Sequence, residues 1–165
     1  MVTDPVGSLP ATTVASTYDG VGNRTKLTYP DSSFVTLAYD ALNRLSVIND
    51  PAAAPIATFG YDALSRRSSL TPANGIATTY QYDAISRLLN QQSSLDTRHY
   101  TYDAVGNRLT RLDAAGTHTY TYDPLSQLTA VDTPSGFPFA DTSFTYDQVG
   151  NRTQVDGTLY LPNPL

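Results

Sequence analysis

The chain has 165 residues, 40% hydrophobic and 15% charged, with a net charge of −5. That apolar content is enough for folding rather than disorder, and the few cations, nine arginines and Lys26 dispersed along the chain, offer no stripe to a phosphate backbone. All fifteen acids are aspartates, which favour turns and caps over helix interiors, and twelve tyrosines favour strands; the absence of cysteine excludes disulfides and thiolate metal sites, and no stretch is apolar enough to cross a membrane as a helix.

Residues 1–15 read as an irregular lead-in, lacking the basic start and apolar run of a secretion signal. From residue 16 to residue 160 the chain repeats itself. Tyr-Asp recurs seven times, at Tyr18-Asp19, Tyr39-Asp40, Tyr61-Asp62, Tyr82-Asp83, Tyr102-Asp103, Tyr122-Asp123 and Tyr146-Asp147, at intervals of 20 to 24 residues. Regular self-similarity at such a period is the signature of a stacked array, in which one small supersecondary unit is copied and buries its apolar side against its neighbours. Residues 161–165 read as an irregular tail.

Each repeat reads as two strands and two turns. Before each of the later Tyr-Asp pairs, aromatic and small polar residues alternate, as in Thr79-Tyr80-Gln81-Tyr82, Thr119-Tyr120-Thr121-Tyr122 and Ser143-Phe144-Thr145-Tyr146. Period two is a strand signature that puts Tyr120 and Tyr122 on one face and Thr119 and Thr121 on the other, so an aromatic, buried face is predicted. After the aspartate come a variable residue, an aliphatic and a turn former: Val21-Gly22-Asn23, Leu42-Asn43, Leu64-Ser65, Ile85-Ser86, Val105-Gly106-Asn107, Leu125-Ser126 and Val149-Gly150-Asn151. Gly22, Gly106 and Gly150 are expected to set the reversal, since glycine and asparagine tolerate positive φ. An arginine follows at Arg24, Arg44, Arg66, Arg87, Arg108 and Arg152, with Gln127 in its place once. The second turn, at clusters such as Pro30-Asp31, Asn49-Asp50-Pro51, Asp113-Ala114-Ala115-Gly116 and Pro134-Ser135-Gly136, absorbs the variation in spacing.

A lone repeat fixes more backbone than its three or four large apolar side chains can offset, so stability must come from neighbour-to-neighbour pairing. The predicted fold is therefore all-β: tandem β-hairpins forming a curved or spiralling antiparallel sheet. A closed β-propeller is the architectural rival, because two repeats make a blade-sized piece.

Tyr102-Asp103-Ala104-Val105-Gly106-Asn107-Arg108-Leu109-Thr110 resembles the YD repeat of bacterial Rhs and wall-associated proteins, related to repeats of animal teneurins, and the likeness extends over about residues 16–160. The resemblance implies a strip of β-sheet wound into a hollow shell around a C-terminal toxin or effector, in a large secreted or cell-surface protein such as a polymorphic toxin. Its implied partners are further YD repeats and an enclosed toxin segment. The alternative is an extracellular carbohydrate-binding or adhesion module, with glycans as partners. Neither nucleic acid nor membrane insertion is expected.

Catalytic and metal chemistry find little support. Each repeat supplies one regularly placed aspartate rather than several ligands in one loop, so the aspartates are read as acceptors of local turn hydrogen bonds rather than calcium ligands. An Asp-Arg pair in each repeat, such as Asp103 with Arg108, is expected to bridge turns. His99 and His118 are read as tiling one face, and Asp132-Thr133-Pro134 and Asp141-Thr142-Ser143 lack the glycine of an aspartic-protease loop. No enzyme activity and no cofactor are expected.

Overall fold

The computed structural model describes residues 13–156 and 158–159. The lead-in is thus described only at residues 13–15, and the 161–165 tail lies outside the described residues. Two compact bodies divide the chain, the first running through Gly75 and the second beginning at Ile76. No helix occurs among the described residues.

The N-terminal body is a six-stranded antiparallel meander: β1 (Ala15–Tyr18), β2 (Arg24–Thr28), β3 (Phe34–Tyr39), β4 (Leu45–Asn49), β5 (Pro55–Tyr61) and β6 (Arg67–Pro72), each paired with the next. The C-terminal body continues the pattern in nine strands: β7 (Thr78–Tyr82), β8 (Leu88–Gln92), β9 (Thr97–Tyr102), β10 (Arg108–Asp113), β11 (Gly116–Tyr122), β12 (Leu128–Asp132), β13 (Thr142–Tyr146), β14 (Arg152–Val155) and β15 (Thr158–Leu159). Neither body breaks into four-stranded blades, which sets the propeller aside.

Register separates the two faces. In the N-terminal body the pairs Leu37↔Ile48, Leu27↔Val35 and Phe59↔Leu70 gather the aliphatics on one face, while Thr36↔Asn49, Thr58↔Thr71 and Gly60↔Ser69 lie on the other. In the C-terminal body Tyr120↔Val131 and Phe144↔Val155 occupy one face, and Thr119↔Asp132 and Thr145↔Gln154 the other. The alternation predicted from sequence therefore holds, but the aromatic face is half-buried rather than buried. Among the described residues no hydrophobic side chain is fully buried, and His118, 2% exposed, is the one buried polar residue. A single layer of sheet has only its own neighbouring side chains to cover its apolar face.

All length variation sits in one class of connection. Every Tyr-Asp connection has five residues between strand ends, whereas the opposite connections run from two residues at Ala114-Ala115 to nine between β12 and β13. The long one accounts for the widest interval between Tyr-Asp pairs.

Candidate functional site

Each Tyr-Asp turn is one backbone device repeated. Asp103 donates its N–H to the Asn107 carbonyl at 2.9 Å, and Gly106 N–H returns to the Asp103 carbonyl at 3.3 Å; the same pair of bonds closes the turns at Asp19, Asp40, Asp62, Asp83, Asp123 and Asp147. The fourth turn residue takes positive φ in all seven: Gly22, Asn43, Ser65, Ser86, Gly106, Ser126 and Gly150, between 58° and 102°. This is a three-residue hairpin loop of the type I turn plus αL kind, where glycine or asparagine costs least. In the Val-Gly-Asn repeats it is the glycine, not the asparagine, that adopts it.

The aspartate side chain fastens the loop from inside. Asp103 Oδ1 accepts the N–H groups of Val105 (3.0 Å), Gly106 (2.8 Å) and Asn107 (2.8 Å), while Oδ2 accepts the Asn107 amide at 2.9 Å. Asp40 Oδ1 accepts from Leu42 and Arg44 N–H at 2.9 and 3.0 Å, and its Oδ2 takes Arg44 Nε at 2.7 Å. Asp62 and Asp83 hold Arg66 and Arg87 in the same way, at 2.7 and 2.6 Å. The Arg44 side chain, then its N–H, hold the Asp40 carboxyl below the usual range against partial desolvation. At Asp103 desolvation is the largest single influence and pushes upward, but the four donors from Asn107, Gly106 and Val105 together outweigh it, and the carboxyl is lowered. These carboxylates are committed to turn donors, and no group of three metal-binding side chains occurs among the described residues.

Asp103 does not pair with Arg108, contrary to the sequence expectation. The residue four beyond each aspartate is Asn23, Arg44, Arg66, Arg87, Asn107, Gln127 or Asn151. In the asparagine repeats the arginine has moved one place on, to the first residue of the next strand, and two of the three stack there: Arg108 lies 4.3 Å from the Tyr120 ring centroid and Arg152 5.7 Å from the Phe144 ring centroid.

These turn residues also join one repeat to the next. Arg44 reaches the Asp62 carbonyl at 3.3 Å and Ser65 Oγ at 3.1 Å, with its guanidinium 4.6 Å from the Tyr61 ring centroid. Arg87 reaches the Asp103 carbonyl at 2.7 Å over the Tyr102 ring. Asn23 donates to Asn43 Oδ1 at 3.0 Å, and Asn107 to Ser126 Oγ at 3.1 Å.

The tyrosine of the motif works at this boundary through its hydroxyl. Tyr39 donates to the Arg24 carbonyl (3.0 Å), Tyr61 to Leu45 (2.8 Å), Tyr102 to Leu88 (2.8 Å), Tyr122 to Arg108 (3.1 Å) and Tyr146 to Leu128 (2.8 Å). In every case the acceptor opens the second strand of the preceding repeat. That strand carries a bulge next to the turn: Thr121 pairs Ala130 but Tyr122 pairs Leu128, so Thr129 is extra. Unit-to-unit pairing between β4 and β5 begins only at Val47↔Thr58, so the Tyr61 hydroxyl takes up a carbonyl beyond the end of the ladder. Burial pushes the Tyr102 and Tyr122 phenols up. Tyr18, with no described strand before β1, is 62% exposed.

The profile of the Teneurin YD-shell family matches residues 10–158. The chain belongs to that family. The YD strip also resembles solved toxin structures: TcdB2-TccC3, at TM-score 0.73 and 22% identity over 87% of this chain; the same complex without its hypervariable C-terminal region, at TM-score 0.72 and 24% identity over 87%; and the Photorhabdus luminescens Tc holotoxin pore, at TM-score 0.70 and 23% identity over 86%. In each case the chain spans 9% of the solved chain's length. No curated protein sequence matches it.

One part of the YD strip departs from its own period. His118 and His99 do not share a face: Arg111 pairs with both Tyr100 and His118, whereas Leu112 pairs with His99. His99 stands on the polar face against Asn90. His118 packs on the aromatic face, its Nε2 2.8 Å from an Arg111 N–H and 3.3 Å from Asp113 Oδ2, with the Phe137 ring edge-on at 4.7 Å. Phe137 comes from the nine-residue β12–β13 connection, which Thr133 fastens by donating its hydroxyl to the Phe139 carbonyl and its N–H to Asp141 Oδ1. Period-based reading had no signal for this cover, because it lies where the repeat is irregular.

Proposed function

We propose that this YD strip is a stretch of wall in a much longer shell protein that encloses a C-terminal toxin or effector, secreted or displayed at a bacterial cell surface, and that its role is structural rather than catalytic. The observation that carries this reading is the tyrosine relay. Five of the seven motif tyrosines spend their hydroxyl on a carbonyl of the preceding repeat, and neither body has a fully buried apolar core among the described residues. Such a sheet extends by adding repeats and separates two sides, which is what a wall does. The likeness to TcdB2-TccC3, a structure also solved without a hypervariable C-terminal region, supports the enclosed segment.

The alternative, a carbohydrate-binding or adhesion module, requires free aromatic platforms. Tyr61, Tyr102 and Tyr120 already carry guanidinium groups over their rings.

The test is the native polypeptide, detected with an antibody against the Tyr102–Thr121 repeat. A product several times larger than 17.8 kDa, whose C-terminal segment resists protease until the wall is unfolded, is expected. A 17.8 kDa product, or a C-terminal segment cut equally fast before and after unfolding, overturns the reading.

A further inference from the structure

The nine-residue β12–β13 connection is fastened over the aromatic face of the C-terminal body. Thr133 ties its two ends, donating its N–H to Asp141 Oδ1 at 2.7 Å and its hydroxyl to the Phe139 carbonyl at 3.0 Å. Between them Phe137 N–H closes on the Pro134 carbonyl at 3.0 Å, with Gly136 supplying a positive φ of 82°. Pro134 packs on Gly116, where a Cβ would come within 2.9 Å of the proline ring. Held at its ends and in its middle, the connection shares with the sheet a preformed cavity of about 350 Å³, at the small end of the range for ligand sites.

Four rings wall this cavity: Tyr120 and Phe144 from the sheet, Phe137 and Phe139 from the connection. Phe139 is 71% exposed although it lines the space. The polar lining is His118 and Arg111. Arg111 donates from Nη2 to His118 Nε2 at 2.8 Å and to Asp113 Oδ2 at 3.0 Å, while its Nε is buried with no hydrogen-bond partner. Arg108 Nε, on the same face of β10, is in the same condition, and its guanidinium lies against the Tyr120 and Tyr100 rings. No other buried side-chain nitrogen or oxygen among the described residues lacks a partner. Buried polar groups are ordinarily satisfied, so a place where two guanidinium groups run short of acceptors is where an acceptor from outside gains most.

We propose that this cavity is a binding site for a small aromatic carboxylate. The ring of such a ligand meets the aromatic walls edge-on or offset, and its planar carboxylate matches the fork of the Arg111 guanidinium. Charge narrows the class further. Asp113 offsets part of Arg111, and Asp141 is turned to Thr133, so the site suits a monoanion better than a dianion. An aromatic box alone would suit a quaternary ammonium group, but Arg111 in the lining and Arg108 against Tyr120 repel one. The site lies where the repeat is irregular, and the inference does not depend on encapsulation.

The full chain contains no tryptophan, so indole-3-acetate, excited above the tyrosine band, can be followed by its own fluorescence. Titration with the chain is expected to raise the anisotropy of this probe to saturation. Indole-3-ethanol, which keeps the ring and lacks the charge, is expected to bind at least about tenfold more weakly. Arg111→Gln is expected to abolish that preference. Phe139→Ala is expected to weaken both probes alike, with an unchanged thermal melt because the ring is exposed, whereas Leu95→Ala, 75% exposed on another connection, changes neither. An anisotropy that never saturates overturns the proposal. So does equal binding of acid and alcohol, a preference that Arg111→Gln leaves intact in a folded chain, or a Leu95→Ala effect equal to that of Phe139→Ala. If Arg111→Gln fails to fold, the comparison of acid with alcohol and the Phe139→Ala variant still decide.

Discussion

The Arg44 turn of the N-terminal body and the Asn107 turn of the C-terminal body have one backbone and two side-chain solutions. At Arg44 a single residue ties Asp40 Oδ2, reaches the next turn and lies over the next motif tyrosine, Tyr61. At Asn107 these tasks are divided. The amide ties Asp103 Oδ2 and touches Ser126, while the guanidinium of Arg108, one residue on, lies over Tyr120. What these two turns share is a side-chain donor to the aspartate and a cation over an aromatic ring, and these two requirements allow more than one sequence.

Acid is expected to act most widely, because it reaches both kinds of turn together. The carboxyls of Asp19, Asp40, Asp62, Asp83, Asp103 and Asp147 are all lowered in the fold. A group whose folded pKa lies below its unfolded value, about 3.9 for aspartate, stabilises the fold fully above that unfolded value and loses its contribution as pH falls through the folded pKa. Thermal melts are therefore expected to be flat above about pH 5 and to drop steeply below about pH 4. Added salt is expected to soften the Arg44 turn more than the Asn107 turn, since only the former holds an ion pair, at 2.6 Å. Tm values that stay level down to pH 2.5 count against any role for the aspartate clasp.

The next largest effect separates the two boundaries. Tyr61→Ala removes a hydroxyl bond to Leu45, ring packing and the seat of Arg44, whereas Tyr122→Ala leaves Arg108 in place over Tyr120. Losses of about 3 kcal/mol and about 2 kcal/mol are expected, given that both rings are only half-buried. Tyr122→Phe, which deletes the hydroxyl alone, is expected to cost about 1 kcal/mol. Chemical denaturation of the three variants checks the order, and equal, small losses dismiss the relay.

Strand count, the Tyr-Asp turns and the alternation of faces were legible in the sequence because a period of two nested in a period near 20 leaves little choice of register. Arg24, Arg44 and Arg108 looked equivalent because each follows the turn. Counting from the aspartate separates them, Arg44 at the fourth place and Arg24 and Arg108 at the fifth, and the register, with Tyr39 opposite Leu45 but Tyr18 opposite Arg24, shows what that one-place shift does. The hydroxyl relay was hidden for a similar reason, since its acceptors are backbone carbonyls and Arg24, Leu45 and Leu88 have no side-chain feature in common. The His118 cover was illegible because a nine-residue connection outside the period brings Phe137 onto it.

Converting one turn class into the other tests the division of labour directly. Arg44→Asn alone keeps a donor for Asp40 but empties the seat over Tyr61, and is expected to cost about 1 kcal/mol. Adding Leu45→Arg places a cation where Arg108 stands in the other class. Because Phe59 occupies in that repeat the position of Tyr120, the double variant is expected to recover more than half of the loss in a double-mutant cycle. Additive losses would mean that the arginine and asparagine turns are two separate designs rather than one device.

The smallest expected effect concerns the fourth turn residue, where a positive φ is met by glycine at Gly106 (102°) and by serine at Ser126 (62°). Space is not the constraint at Gly106, since a Cβ there would meet no atom within 4 Å. The cost of Gly106→Ala is therefore conformational and is expected at about 1 kcal/mol. Ser126→Gly relieves the same strain, but it loses the Asn107 amide's acceptor and loosens the unfolded chain. The opposing effects leave a net change within about 0.5 kcal/mol. If Ser126→Gly instead proves clearly destabilising, then the contact from Asn107 to Ser126, rather than the backbone preference, decides which residue stands at the fourth position of each turn.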